Sequence, residues 1–149
     1  MAINGVHHVV LRVPDVPDGE ACYRELFDME VRFREGLLDG DVGTVPEMFT
    51  WDDARSKGVT PTMSFLGRDE FFLAVAQRDE TDGKRRVDHI ALAVDESTFE
   101  SVTERAEAAG CTVERNAAHH RTFEDPLGFE WELNASSPPP SRAFDTLEL

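Results

Sequence analysis

Apolar and polar residues follow two different periods along this chain, and the same succession of periods occurs twice. In the first half, residues 6–13 form a β-branched run typical of a strand, and residues 18–29 place apolar residues at helical spacing. Residues 36–59 are Gly-rich at first and then favour a short helix around residues 46–57. Three further segments are predicted as strands, the last two forming a hairpin: residues 30–34, 60–66 and 70–77.

The second half repeats this order. Residues 87–94 predict a strand and residues 95–109 an amphipathic helix, followed by three short strands at residues 111–115, 121–124 and 129–134. The run that starts at His8 aligns with the run that starts at His89, so the chain contains an internal duplication. We therefore predict three segments: a βαβββ module at residues 1–78, a second βαβββ module at residues 86–134 and a C-terminal arm at residues 135–149. The arm contains Ser-Ser-Pro-Pro-Pro-Ser, which cannot pair in a sheet.

The charge of the chain limits which partners it can bind and indicates the environment in which it functions. Thirty acidic residues oppose fifteen basic ones, giving a net charge of −15. A surface this acidic repels nucleic-acid phosphates and anionic membranes, so we expect neither as a partner. The scarcity of lysine and the even spread of acids favour a high-salt cytoplasm over an acidic docking surface for a basic partner. The chain shows no signal peptide and no transmembrane run, which agrees with a cytoplasmic location.

Three stretches resemble the vicinal oxygen chelate superfamily, which includes glyoxalase I, bleomycin and fosfomycin resistance proteins and type I extradiol dioxygenases. The stretches are His8–Val13 followed by Cys22–Met29, then Val87–Val94, then Phe123–Leu133. The last contains Asp-Pro-Leu-Gly and ends in Glu-Leu, similar to the most specific local signature of this superfamily. The resemblance implies an α+β fold in which two tandem βαβββ modules form an open, eight-stranded, barrel-like sheet around a central pocket. It also implies a homodimer.

The resemblance further implies a divalent metal held by His8, His89 and Glu132. In the superfamily, the first and last strands of a module supply the metal ligands, and these three residues occupy those positions here. Two imidazoles and one carboxylate form a facial triad that leaves open positions on the metal. This donor set suits Fe, Mn, Ni, Co or Zn, and the sequence does not choose among them.

The fourth ligand position of glyoxalase I is where this chain departs from the resemblance. Alignment places Ala74 there, and the only carboxylate on that strand face, Glu70, lies beside the predicted hairpin turn. The departure weakens a glyoxalase-like reaction, which uses a metal-bound glutamate as base. Phe72 lies on the same face as Ala74 by alternation, so we predict that both line the substrate pocket. The alternative is that Phe72 is simply a core residue.

The sequence therefore predicts a metal-dependent enzyme for a small substrate with two adjacent oxygens, with an extradiol-dioxygenase-like reaction favoured. The tyrosine that ring-cleaving relatives place before the ligand glutamate is absent, since Thr122 stands near that position. His119 and His120 are candidates for acid–base catalysis, with surface residues as the alternative. Two rival functions remain open: a glyoxalase-I-like lyase or isomerase, and a metal-free ligand-binding protein like those of bleomycin resistance.

Overall fold

The computed structural model describes residues 1–79, 87–118, 120–124, 126, 129–135 and 147. Nine strands and three helices lie within this described part of the chain. In chain order they are β1 (Ile3–Val13), α1 (Val16–Phe27), β2 (Glu30–Leu38), β3 (Asp41–Val45), α2 (Trp51–Ser56), β4 (Thr60–Arg68), β5 (Phe71–Gln77), β6 (Val87–Val94), α3 (Glu96–Ala108), β7 (Thr112–Asn116), β8 (His120–Glu124) and β9 (Glu130–Asn134). The predicted α+β class and the repeated order of strand, helix and further strands are confirmed.

The described strands form one open sheet with hydrogen-bonded neighbours in the order β3-β2-β4-β5-β1-β6-β9-β8-β7. The sheet has nine strands, whereas the sequence predicted eight. The additional strand is β3, which pairs antiparallel with β2 across a turn at Asp39 and Gly40. Both residues have positive φ, 51° and 85°, the conformation of a tight hairpin turn. The Asp-Gly pair is a strong hairpin signal, but the sequence analysis predicted no strand in the Gly-rich start of residues 36–59.

The chain divides into two compact units. The first unit comprises Met1–Val9 and Val87–Pro140, and the second comprises Val10–Arg86 and Ser141–Leu149. Strand β1 therefore contributes residues 3–9 to the first unit and residues 10–13 to the second.

The first unit consists of the start of β1, strands β6 to β9 and helix α3. The helix begins after Asp95, whose carboxylate accepts a hydrogen bond from the backbone N–H of Thr98 at 2.8 Å. Its apolar residues Phe99 and Val102 pack against Leu133 of β9. Leu133 points toward the helix, so by alternation its neighbours Glu132 and Asn134 point to the opposite face of the sheet.

The described residues of the second unit form two apolar clusters and a buried ionic network. Helix α2 begins with a capping box between Thr50 and Asp53 and places Trp51 in a cluster that Leu147 of the C-terminal arm also contacts. The rest of the arm, apart from Ala135, lies outside the described residues. Glu20 of α1, 4% exposed, sits at the centre of the network. No helix among the described residues is long and apolar enough to cross a membrane.

Candidate metal centre

The three predicted ligands come from three strands of the first unit. His8 lies on β1, His89 on β6 and Glu132 on β9. Strand β6 pairs in parallel with β9, with Ala91 opposite Glu132, and β1 is the other neighbour of β6 in the sheet. His89 and Ala91 are two residues apart and share a face of the sheet, so this register places His89 beside Glu132.

Their donor atoms converge. The Nε2 atoms of His8 and His89 are 3.3 Å apart. A carboxylate oxygen of Glu132 lies 3.2 Å from Nε2 of His89, and the other lies 3.9 Å from Nε2 of His8. The side chains are 5%, 15% and 16% exposed for His8, His89 and Glu132, so the donors are largely removed from water. Among the residues that the structure describes, this is the one cluster of ligand atoms compatible with a metal ion.

The remaining ring nitrogens of both histidines are engaged by the preceding residue. Nδ1 of His89 lies 2.7 Å from a carboxylate oxygen of Asp88, and Nδ1 of His8 lies 2.7 Å from Nδ1 of His7. Each contact orients its ring so that Nε2 faces the other ligands, the arrangement that outer partners of metal-bound histidines provide.

The position of His7 corrects an expectation from simple alternation. Alternation along a strand predicts that His7 points to the opposite face of the sheet from His8 and has a structural role. In the structure it is 2% exposed and contacts His8 edge-on, with ring centroids 5.0 Å apart. The signal in the sequence is that His7 and Asp88 occupy equivalent positions in the duplication, immediately before a ligand. Sequence reasoning did not use that equivalence.

Glu132 is held as a carboxylate. Burial opposes its charge, but hydrogen bonds from His89 and Asn134, together with the charges of the two histidines, outweigh this and hold the pKa of Glu132 at about 2. The side-chain amide of Asn134 donates to Oε1 of Glu132 at 2.7 Å. Asn134 is buried, and sequence analysis did not single it out.

The two histidines differ in protonation. Burial is the main cause that lowers the pKa of His8 to about 4, with Glu132 opposing it, so His8 is neutral at pH 7. Burial alone would also lower the pKa of His89, but hydrogen bonds to Asp88 and Glu132 and their charges raise it to about 9. In the absence of a metal, a protonated His89 therefore balances the charge of Glu132.

These residues fit a divalent metal. Ligands at right angles around an ion with bonds of about 2.1 Å have donor atoms about 3 Å apart. The observed separations are 3.2, 3.3 and 3.9 Å, so a small contraction brings all three donors within bonding distance. Two imidazoles and one carboxylate also match the donor preference of Fe, Mn, Ni, Co or Zn.

The face of the sheet that carries Glu132 has two regions of opposite charge. Glu130 lies two residues before Glu132 and hydrogen-bonds Glu114. Burial, followed by the charges of Glu114 and Asp88, raises its pKa. In the other direction along the strands, His120 lies opposite Asn134, and its Nε2 is 3.1 Å from a guanidinium nitrogen of Arg115.

The other predicted site residues lie in different surroundings. His120 is half-buried on the face that carries Glu132, whereas His119 lies outside the described residues. Phe72 and Ala74 lie on β5 in the second unit, where both belong to an apolar cluster. Ala74 is 1% exposed and Phe72 stacks on Phe65 at 5.7 Å. Their predicted role in substrate binding remains a prediction.

Solved structures resemble this chain in fold. The 2,3-dioxygenase LapB from a Pseudomonas species aligns at a TM-score of 0.67 and 13% identity over 98% of this chain. This chain spans 47% of the LapB chain, about half its length. A variant of methylmalonyl-CoA epimerase from Streptomyces coelicolor, in complex with 2-nitronate-propionyl-CoA, gives a TM-score of 0.59 at 15% identity over 94% of this chain and 99% of its own. A hypothetical protein from Bacillus halodurans gives 0.57 at 15% identity over 92% of this chain and 97% of its own.

The sequence itself assigns the family. No curated protein matches this chain. However, the sequence pattern of the glyoxalase/bleomycin resistance protein/dioxygenase superfamily matches residues 5–133, which span most of both predicted modules and include all three candidate ligands. The match confirms the resemblance drawn from the sequence, and the chain belongs to the glyoxalase/bleomycin resistance protein/dioxygenase superfamily.

Proposed function

We propose that this protein is a divalent-metal-dependent enzyme that acts on a small substrate with two adjacent oxygens. One observation carries the proposal: Nε2 of His8, Nε2 of His89 and the carboxylate of Glu132 meet within 4.8 Å of one another. Three donors from one unit would hold the metal and leave coordination positions for the substrate. The metal, when bound, supplies a Lewis acid that stabilises negative charge on the chelated substrate oxygens.

The chain's own groups prepare the site in three ways. His7 and Asp88 hold the rings of His8 and His89 with Nε2 directed at the site. Asn134 fixes the orientation of the Glu132 carboxylate. Burial excludes water from these groups and strengthens their electrostatic interactions with a bound ion.

His120 is the described residue proposed to move a proton. It lies on the face that carries Glu132, one strand away. A guanidinium can only donate, so in this contact Nε2 of His120 is the acceptor and Arg115 the donor. An imidazole in this position can exchange a proton with a substrate oxygen.

Within this class we favour ring cleavage by dioxygen over glyoxalase-like isomerisation. This preference is supported by the number of candidate metal ligands, which is three here. The position where glyoxalase I carries its additional carboxylate is Ala74, which has no donor atom. A triad of two histidines and one carboxylate is the ligand set associated with non-haem Fe(II) oxygenases. Oxygen uptake by the Fe(II)-loaded protein with a catechol would support this reaction, and its absence would favour isomerisation.

The deciding experiment is elemental analysis of the protein purified without chelator, beside His89→Ala and Glu132→Ala. We expect close to one Fe, Mn, Ni, Co or Zn per chain in the native protein and a loss of most of it in both variants. The matched control is Glu124→Ala, which removes an exposed carboxylate from β8 on the same face. It should keep its metal, and circular dichroism should show that all variants are folded.

A native protein that binds no metal, even after incubation with each of these ions, would contradict the proposal. That result would favour a metal-free ligand-binding protein, the alternative that the family contains.

A further inference from the structure

The face of the first unit that carries Glu132 has a donor region as well as the ligand triad. The register of β7, β8 and β9 places Arg115, Thr122 and Glu132 in one row across the strands, and His120 opposite Asn134 in the next row. Residues directly opposite each other in antiparallel strands share a face. The 3.1 Å contact between Arg115 and His120 independently places the guanidinium on that face.

Arg115 is the only arginine of the first unit on this face. Residues 87–140 contain three arginines and eleven acidic residues. Arg105 lies in the last turn of α3, and the guanidinium of Arg121 lies 4.0 Å over the ring of Phe99, on the helix side of the sheet. In a segment this acidic, an exposed arginine on the same sheet face as the candidate ligands, two strands from Glu132, is a suitable group to bind an anion.

The opposite end of the same face disfavours an anion. Glu130 lies two residues before Glu132 on β9 and is paired with Glu124 on β8, and Glu114 hydrogen-bonds Glu130. A negatively charged group is repelled from this acidic end and attracted toward Arg115. The charge distribution therefore gives a bound substrate a direction.

We propose that Arg115 forms an oxyanion subsite, and that the substrate is a small vicinal diol, catechol or ketol that also carries a carboxylate or similar anion. The adjacent oxygens are directed to the triad and the anion to Arg115. This inference rests on the proposed function, because it takes the triad as the place where the adjacent oxygens bind.

The strand geometry suggests a length for such a substrate. His120 lies one strand from β9 and two residues along from Glu132, so the backbones of these two residues are about 8 Å apart on the diagonal. A catechol with a carboxylate on a two-carbon side chain spans a comparable distance. Dihydrocaffeate is such a probe, and its methyl ester is a neutral compound of nearly the same shape.

The test compares the binding of these two probes to the Zn(II)-loaded protein by isothermal titration calorimetry. We expect dihydrocaffeate to bind up to about fivefold more tightly than its methyl ester, because solvent screens a charge-assisted hydrogen bond to an exposed guanidinium. Arg115→Met should abolish this preference and leave the affinity for the ester and for Zn(II) unchanged. Arg105→Met is the matched control, since it removes the same charge from α3, and it should keep the preference.

The outcomes separate this inference from the proposed function. A protein that does not bind Zn(II), or binds Zn(II) but neither probe, contradicts the proposed function. A protein that binds both probes equally contradicts only the oxyanion subsite. An equal loss of preference in Arg105→Met and Arg115→Met also contradicts the subsite, because it would assign the preference to overall charge.

Discussion

At the scale of single residues, the environment of each ligand determines its charge. His8 and His89 occupy equivalent positions in the duplication, yet their pKa values are shifted in opposite directions, to about 4 and about 9. Burial lowers the pKa of both histidines. However, His89 has the negatively charged Asp88 carboxylate beside its Nδ1, whereas His8 has the imidazole of His7 at the same position. The duplicated histidines are therefore different ligands: one is already neutral, and the other must lose a proton before it can bind a metal.

This difference predicts the pH dependence of metal binding. Between pH 7 and 8 about one proton should be released for each metal bound, because His89 with its pKa of about 9 is protonated and His8 is not. The apparent affinity should therefore rise about tenfold per pH unit and level off above pH 9. Calorimetry in two buffers of different ionisation enthalpy measures the released proton. A pH-independent affinity between pH 7 and 9 would contradict the assignment.

The stability of the metal-free protein should also depend on the protonation of His89. A pKa raised from 6.5 to about 9 means that the protonated His89 stabilises the fold below pH 6.5. That contribution is lost as the pH rises through about 9. Asp88→Asn removes the hydrogen-bonded charge and should shift both the loss of stability and the levelling of metal affinity to lower pH.

At the scale of elements, a buried ionic network connects the two helices of the second unit to its strands. Glu20 of α1 accepts hydrogen bonds from Arg34 of β2, Trp51 of α2 and Ser64 of β4, at 2.8, 3.0 and 2.6 Å for Oε2. Arg34 also lies 5.2 Å from the ring centroid of Trp51. One carboxylate therefore connects four elements. Burial opposes its charge, but these hydrogen bonds and the charge of Arg34 lower its pKa.

Replacing Glu20 tests this role. Glu20→Gln should destabilise the protein by about 3 kcal/mol, because it leaves the guanidinium of Arg34 without its buried counter-ion.

This effect should depend on pH. Since the pKa of Glu20 is lowered, the stability that its carboxylate contributes is present above the unfolded value of 4.5 and is lost as the pH falls. The variant should therefore lose less stability than the native protein on acidification. Urea unfolding at several pH values measures both effects, with the exposed Glu25→Gln of the same helix as control. A loss below 1 kcal/mol would show that packing alone holds these elements together.

At the scale of the whole molecule, charge is the dominant feature. A net charge of −15 on 149 residues places many carboxylates within repulsive distance of one another. Salt shortens the range of this repulsion from about 10 Å at 0.1 M to about 3 Å at 1 M. The high-salt cytoplasm and the homodimer remain predictions, and the first of them has a direct physical test.

We expect the thermal midpoint to rise by several degrees between 0.1 and 2 M KCl, because screening removes self-repulsion from the folded state. The matched variant replaces the exposed glutamates 96, 100, 104 and 107 of α3 with glutamine. These substitutions make the net charge less negative without changing buried groups. The thermal midpoint of this variant should depend less on KCl concentration than that of the native protein. Differential scanning calorimetry of both proteins provides the comparison, and equal salt dependence would show that the acidic surface is not responsible.

Two kinds of information in the sequence were sufficient to predict most of the fold. Hydrophobic periodicity located α1, α3 and seven of the nine strands to within a few residues, because a buried face imposes its spacing on the chain. β2 was also located but runs four residues beyond the predicted end, since its pairing with β3 extends it to Leu38. The duplication then ordered the elements into two modules. Local pattern alone did not reveal β3, because it depends on a two-residue turn within a segment that has little periodicity.

For the ligand triad, too, part could be predicted from the sequence and part was visible only in the tertiary structure. The sequence by itself indicated which three residues are candidate ligands, since the duplication and the family motif place them at equivalent strand positions. Only the tertiary structure brought their donor atoms together and added His7, Asp88 and Asn134 around them. It also placed Arg115 beside His120. These contacts join side chains on neighbouring residues or strands, and their geometry depends on rotamers and on sheet register, which alternation along a single strand does not specify.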